Sequence, residues 1–388
     1  MMRTIGTALG LSLLATAADA FDYDADTAFY APGPGAIEDA LAHIATLKDA
    51  GRADDADRIR DAIRQPMAVW ITQGTPAEAE VQAQQVMTAA GAHGHVPVFA
   101  AYNIPFRDCA QYSAGGATSV EEYQAWIDGL AAGIGTGDAI VILEPDGLAI
   151  IPHATTVDGD KDWCQPAEGD PATAEAERYA MTDYAVAALK ANPGTKVYLD
   201  GGHADWHPPR EIATRLVRAN VQDADGFFLN VSNYVATDRQ IAHGERVAKC
   251  VFWGLEGNDT ADCTNEDAFY TQSVDPIIAE KGDAAVPHFV IDTSRNGNDV
   301  WVAETEYPDA QAWCNPPGRA LGQSATADTA SAYADAYLWI KIPGESDGSC
   351  SRGLTDQNGV DPEWDLVGPP AGEWFTQQIE VLVGATGN

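Results

Sequence analysis

Short apolar runs recur along the chain, and amphipathic stretches fill the spaces between them. The runs are residues 67–72 (MAVWIT), 96–102 (VPVFAAY), 139–143 (AIVIL), 196–200 (KVYLD), 226–231 (GFFLNV), 288–292 (HFVID) and 336–341 (AYLWIK). Several are unbroken rather than alternating, as strands buried on both faces of a parallel sheet are. Between them, residues 119–134 carry Val120, Tyr123, Ile127, Leu130 and Ile134 on one helical face, and Ser119 with Glu122 has capping-box spacing. Further helical patterns run near 36–63, 76–90, 172–191, 210–219, 267–280 and 372–383. Seven strands alternating with helices predict an α/β fold, either a parallel barrel or an open doubly wound sheet.

Polar residues gather just past these runs: NIPFRDC, EPDG, DGGHADWH, SNY, DTSRNGN and IPGESDG, in chain order. In a parallel sheet all such ends face one way, and in barrels that face carries the active site. One polar strand end is only a loop beginning. Six in succession, mixing carboxylates, amides, His and Arg with Gly, predict one composite site.

Composition narrows the class. At 388 residues and 45% hydrophobic, the chain has material for one large core, and no repeat or linker divides it. Residues 1–20 read as an export signal, with Arg3, an apolar stretch over 5–15 and a small-x-small site at Ala18-Asp19-Ala20. Residues 21–388 are then the mature domain, exported to the extracellular or periplasmic side. No later stretch approaches the roughly 18 apolar residues of a membrane span. Export favours disulfides among Cys109, Cys164, Cys250, Cys263, Cys314 and Cys350, and order alone pairs neighbours among the alternatives. A net charge of −36 repels phosphate backbones and anionic lipid, so neither nucleic acid nor membrane is an expected partner.

Four aspartates at the strand ends carry candidate chemistry: Asp108, Asp146, Asp200 and Asp347. Any one alone reads as a loop residue bonding backbone N–H groups. Asp146 resists that reading, because it follows a buried run and Pro145, with only Gly147 and apolar residues behind it. Desolvation raises a carboxyl pKa, a nearby carboxylate such as Asp108 raises it further, and a protonated carboxyl is what a general acid must be. Protonated and ionised carboxyls around one groove suit glycosidic bond cleavage. Trp70, Trp206, Trp313 and Tyr102, at or beyond strand ends, offer flat faces to sugar rings, with loop packing as the plainer alternative. His203 and His207 near Asp200 and Asp205 match no metal-ligand spacing, and DGDKD (158–162) lacks the features of a calcium loop. No metal or other cofactor is therefore expected.

In YNIPFRDC (102–109), VILEPDGLA (141–149), YLDGGHADW (198–206), LNVSNY (229–234), IDTSRNGN (291–298), WCNPPGRALG (313–322) and LWIKIPGESDG (338–348), the chain resembles glycoside hydrolase family 6, the inverting cellulases. The resemblance spans residues 70–375 in order. It implies a single catalytic domain with a distorted seven-stranded parallel (β/α) barrel, similar to a TIM barrel, and metal-free hydrolysis of β-1,4-glucan with inversion. It also implies Asp146 as general acid, Asp108 as the carboxylate that raises the acid's pKa and positions water, and Asp347 as base. Ser113 corresponds to a water-binding serine and Asp200 to a supporting acid. The binding positions it implies are Trp70, Tyr102, His203, Trp206, Asn233, Trp313, Lys341 and Glu345. Two of the family's disulfides correspond to Cys109–Cys164 and Cys314–Cys350; Cys250–Cys263 is expected as a third, local one.

The loop after RDC is short, as in open-cleft endoglucanases, whereas the stretch 349–373 is long, closer to tunnel-forming cellobiohydrolases. One short loop suffices to open a cleft, so a monomeric endoglucanase acting on cellulose or cello-oligosaccharides is the expectation. Its rivals are a cellobiohydrolase, a non-catalytic glucan-binding protein and a metal-dependent esterase using the His203 region.

Overall fold

The computed structural model describes residues 22–33, 37–355 and 358–384. The export signal expected over 1–20 lies outside them. Seven parallel strands form one sheet in sequential order: β1 (Val69–Ile71), β2 (Val98–Ala101), β3 (Ala139–Leu143), β4 (Thr195–Asp200), β5 (Gly226–Leu229), β6 (His288–Asp292) and β7 (Ala334–Leu338). The sheet curls toward a barrel, and its outer strands meet through Ala68 N–H on Trp339 O at 2.8 Å and the Trp70 indole on Ile340 O at 2.8 Å.

The unbroken apolar runs now have a cause. In β3, Ile140 and Ile142 pack inside the curl with Val98, Ala100, Tyr198, Phe228 and Val290. Ala139, Val141 and Leu143 face outward onto the helix layer. Each strand thus feeds two cores, so neither parity of position is left for polar residues.

The helices are α1 (Glu38–Asp49), α2 (Ala53–Ala62), α3 (Pro76–Gly91), α4 (Val120–Ile134), α5 (Ala174–Lys190), α6 (Pro209–Arg218), α7 (Thr237–Leu255), α8 (residues 267–281, with a π turn over Tyr270–Val274) and α9 (Thr376–Leu382). Thr75 closes a full capping box with Glu78 at the start of α3. At α4 only half of the expected box forms: Ser119 accepts from Glu122 N–H, but the Glu122 carboxylate turns to Thr118. Gly129 and Gly133 let α4 lie against α3, since a Cβ on Gly129 would stand 2.1 Å from Pro76 O.

One helix expectation needs correction, and one helix, α7, has no counterpart among the expected patterns. The pattern over 36–63 is broken into α1 and α2 at Gly51, whose φ of 79° ends the first helix. The 19-residue α7 carries no clean apolar stripe, because its buried face includes Gln240, His243 and Gly244. Disulfides join Cys109–Cys164, Cys250–Cys263 and Cys314–Cys350, the last residue of each pair lying outside any helix or strand. Among the described residues, no helix is long and apolar enough to cross a membrane.

Candidate active site

At the C-terminal rim, carboxylates at strand ends hold the neighbouring loops by their backbone. Glu144, just past β3, accepts from Asn103 and Ile104 N–H at 2.8 and 2.9 Å, both beyond β2. Asp200, ending β4, accepts from Leu148, Ala149 and Gly202 N–H. Asp292, ending β6, accepts from Ser232, Ser294, Ile340 and Lys341 N–H, tying β5, β6 and β7 together. Buried Arg178 adds bonds to Pro105 O and Gly147 O, both at 2.7 Å. Positive φ at Phe106, Asp108, Glu144, Asp146, Asn230 and Ser232 marks the sharp turns this requires. Non-glycine residues held there cost about 1–3 kcal/mol each, and such strain gathers at functional sites.

These loops enclose a cleft of about 780 Å³. Of the residues singled out from the sequence, Asp108, Ser113, Asp146, Asp347, Trp70, Tyr102, His203, Trp206, Asn233, Trp313, Lys341 and Glu345 all line it. Asp200 lies beneath instead, buried behind Asp146 and bonded to backbone.

Three of the carboxyls in the cleft, Asp108, Asp146 and Asp347, differ in environment. Burial pushes Asp146 well up, Asp200 and Asp108 push it further by like charge, and the Tyr102 hydroxyl pulls it back in part. Burial raises Asp200 as well, but the N–H groups of Gly202, Ala149 and Leu148 donate to it and favour its ionised form, so the proton of the pair belongs on Asp146. Asp108 is pushed up to about 6 by burial, opposed by Ser113 N–H at 2.6 Å and by Arg107. Ser113 thus meets Asp108 through its backbone. Asp347 is also buried, yet Arg295 and Lys341 hold it below the usual carboxylate range. Arg295 grips it with two bonds of 3.0 and 2.9 Å, and Tyr234 OH and Asn315 N–H complete its shell.

Aromatic rings face the cleft from several loops. Trp70 meets Tyr102 edge-on at 5.5 Å, and Trp206 stacks on His207 at 5.1 Å. Burial and neighbouring His243 and His207 lower His203 to about 3, leaving it neutral. Sequence reasoning missed Tyr112, Trp163, Tyr234 and Trp301, which also line the cleft. It missed Arg295 and Arg107 too; Arg107 fixes the Asp108 loop through Ser113 O and stacks 4.7 Å from the Tyr102 ring centre. GESDG has the GxSxG spacing of a serine nucleophile elbow, but Ser346 is buried and its hydroxyl bonds Pro369 O and Gly348 rather than a histidine. Among the described residues, no three His, Cys, Asp or Glu side chains are grouped to hold a metal ion.

Glu144 offers a pH test. Burial, against Ile104 and Asn103 N–H and Tyr123, raises it from 4.5 to about 7. A carboxyl raised on folding contributes stability fully present below its unfolded pKa and lost as pH rises through the folded one. Glu144→Gln keeps an acceptor for both N–H groups but cannot ionise. The variant is expected to gain about 2 kcal/mol on the wild type between about pH 5 and about pH 8. Thermal melts across that range check it, and parallel curves would contradict the assignment.

The model of the glycosyl hydrolases family 6 matches residues 25–386. Endoglucanase 1 of Streptomyces sp. (strain KSM-9) is 36% identical over 287 residues, covering 73% of this chain and 64% of its own length. Endoglucanase A of Thermobispora bispora is 36% identical over 293 residues, covering 75% and 52%. The chain therefore spans about half to two thirds of these relatives. The endoglucanase Cel6 from Mycobacterium tuberculosis, solved with methyl-cellobiosyl-4-deoxy-4-thio-β-D-cellobioside, superposes with a TM-score of 0.66 at 34% identity, covering 92% of this chain and 97% of that one.

Proposed function

Because the chain belongs to glycosyl hydrolase family 6, we propose that it hydrolyses internal β-1,4-glucosidic bonds of cellulose or related glucans, with inversion. The observation that carries this reading is Asp146, a carboxyl kept protonated between Asp108 and Asp200 in a cleft walled by aromatic rings. Asp146 gives its proton to the glycosidic oxygen as that bond to the anomeric carbon breaks. Water adds to the carbon from the opposite face and releases a proton, so one bond is exchanged for another with inversion.

Asp347 is ionised and saturated with donors, which makes it a weak base and a strong anion opposite a developing positive charge. Asp108, at about 6, is the stronger acceptor for the proton the water releases. Trp70, Trp206 and Trp313 serve as sugar platforms, and Tyr102 crowds the reacting ring. Neutral His203, Asn233, Lys341 and Glu345 bond hydroxyls. The signal-like segment over 1–20 and the three disulfides support export.

A cellobiohydrolase is the second reading, favoured by one contact. Tyr112, from the loop after β2, lies 5.9 Å from Trp313 and against Gly348, where a Cβ would meet its ring at 2.4 Å. Against roofing, the stretch after Gly348 folds back on its own wall: Trp364 bonds Asn315 O, and Arg352 joins Asp361. Carboxymethylcellulose viscosity, followed against reducing sugar, decides between them. Internal cutting gives steep early viscosity loss per bond broken; slow loss at equal sugar release rejects the endo reading, and no sugar release leaves a binding protein.

A further inference from the structure

Residues 153–164 form a tight ribbon on the loop between β3 and α5. His153 N–H bonds Cys164 O at 2.9 Å, Asp162 N–H bonds Ala154 O at 2.9 Å, and Thr155 pairs with Lys161. Successive side chains on such a ribbon point to opposite faces. Asp162 and Cys164 point inward and are buried, so Trp163 between them must point out, and it is 50% exposed.

Both inward neighbours are anchored to the candidate catalytic loops. Cys164 is bonded to Cys109, which follows Asp108. Asp162 pairs with Arg215 at 3.1 Å, and Arg215 also bonds Leu148 O and Ala149 O, just past Asp146. The indole is therefore exposed on a backbone fixed at both sides, and it lines the same cleft as Trp206 and Asp205. Trp206 itself packs against the Cys109–Cys164 disulfide. A large apolar face left in water on a rigid support is a prepared contact, since binding orders nothing further.

We propose that Trp163 is an outer sugar-stacking platform of this chain, binding a pyranose ring of the glucan beyond those held by Trp70, Trp206 and Trp313. The inference rests on the glucan-hydrolase reading above. A pyranose presents an apolar C–H face, which an indole matches with little loss of side-chain freedom. The contribution of Trp163 then depends on chain length: a short oligosaccharide held by the central platforms does not reach it, and a long one does.

The test is calorimetric binding of cellotriose and cellohexaose to the Asp146→Asn protein, which avoids turnover, with and without Trp163→Ala. Removing the indole is expected to weaken cellohexaose binding roughly tenfold and leave cellotriose unchanged. Trp163→Tyr, which keeps an aromatic face, should restore most of the loss. Equal weakening of both sugars, or cellohexaose binding unchanged by Trp163→Ala, overturns the proposal; an unaltered thermal midpoint confirms that each variant is folded. If the Asp146→Asn protein binds neither sugar, the glucan reading fails and takes this one with it. If it binds both and Trp163→Ala changes neither, only this one fails.

Discussion

Asp146→Asn is expected to lower polymer hydrolysis by roughly 10²–10⁴-fold, the usual contribution of a positioned general acid. The substitution keeps the shape of the side chain and replaces its acidic hydroxyl with an amide NH2 that cannot serve as an acid. It also suits the backbone, because Asp146 has a φ of 64°, a region that Asn tolerates better than most residues. The fold should therefore survive, and the loss should fall on kcat with KM little changed. A substrate with a nitrophenolate leaving group needs less protonation, so the variant should retain far more activity on it than on cellulose. Burial and the charges of Asp200 and Asp108 hold the proton on Asp146. Wild-type activity is accordingly expected to fall on the alkaline side as that proton is lost, and Asn should abolish that limb. A folded variant with substantial activity on cellulose would falsify the assignment.

The parts of this molecule that were readable in its sequence are those whose cause is local. Strands β2 to β6 were visible because their apolar residues alternate between two cores, giving runs with no polar parity. Asp108, Asp146 and Asp347 were visible because chain punctuation places them just past strand ends. Helix α7 was hidden because its inward face holds Gln240, which reaches Asn230, and Gly244, which admits the Phe289 ring. These are tertiary reasons with no trace in periodicity. Trp163 was hidden by its neighbours: it follows the charged run DGDKD outside any apolar pattern, and only the buried partners of Asp162 and Cys164 reveal its direction.

Charge state was the least readable property. Asp146 and Asp347 both lie past strand ends, yet burial and like charge push the first up while cationic partners hold the second down. What separates them is distant in sequence: Asp200 for the first, and Arg295, 52 residues before its partner, for the second. Two carboxyls pushed apart in this way divide acid from anion within one cleft.

Arg295→Met should therefore be the most damaging substitution that leaves every carboxyl in place. Arg295 is fully buried, grips Asp347 with both terminal nitrogens, bonds Ser232 O at 2.6 Å and lies 4.4 Å from the Tyr234 ring centre. Without it, Asp347 retains, among the described residues, only Lys341, 4.0 Å away, as a cationic partner. Removing one member of a buried pair costs about 3–5 kcal/mol, mostly from the charge left unmatched. Burial would then dominate and push Asp347 up until it takes a proton, removing the anion proposed above to face the developing positive charge. Chemical denaturation should show the stability loss, larger at neutral pH than in acid, where a protonated Asp347 no longer demands a partner. The double variant Arg295→Met with Asp347→Asn should regain part of that stability and none of the activity. If the single variant loses less than about 1 kcal/mol at neutral pH, the Asp347 charge is not held by Arg295. A loss shared equally by single and double variants would instead point to the packing of Arg295 on Tyr234 and Ser232.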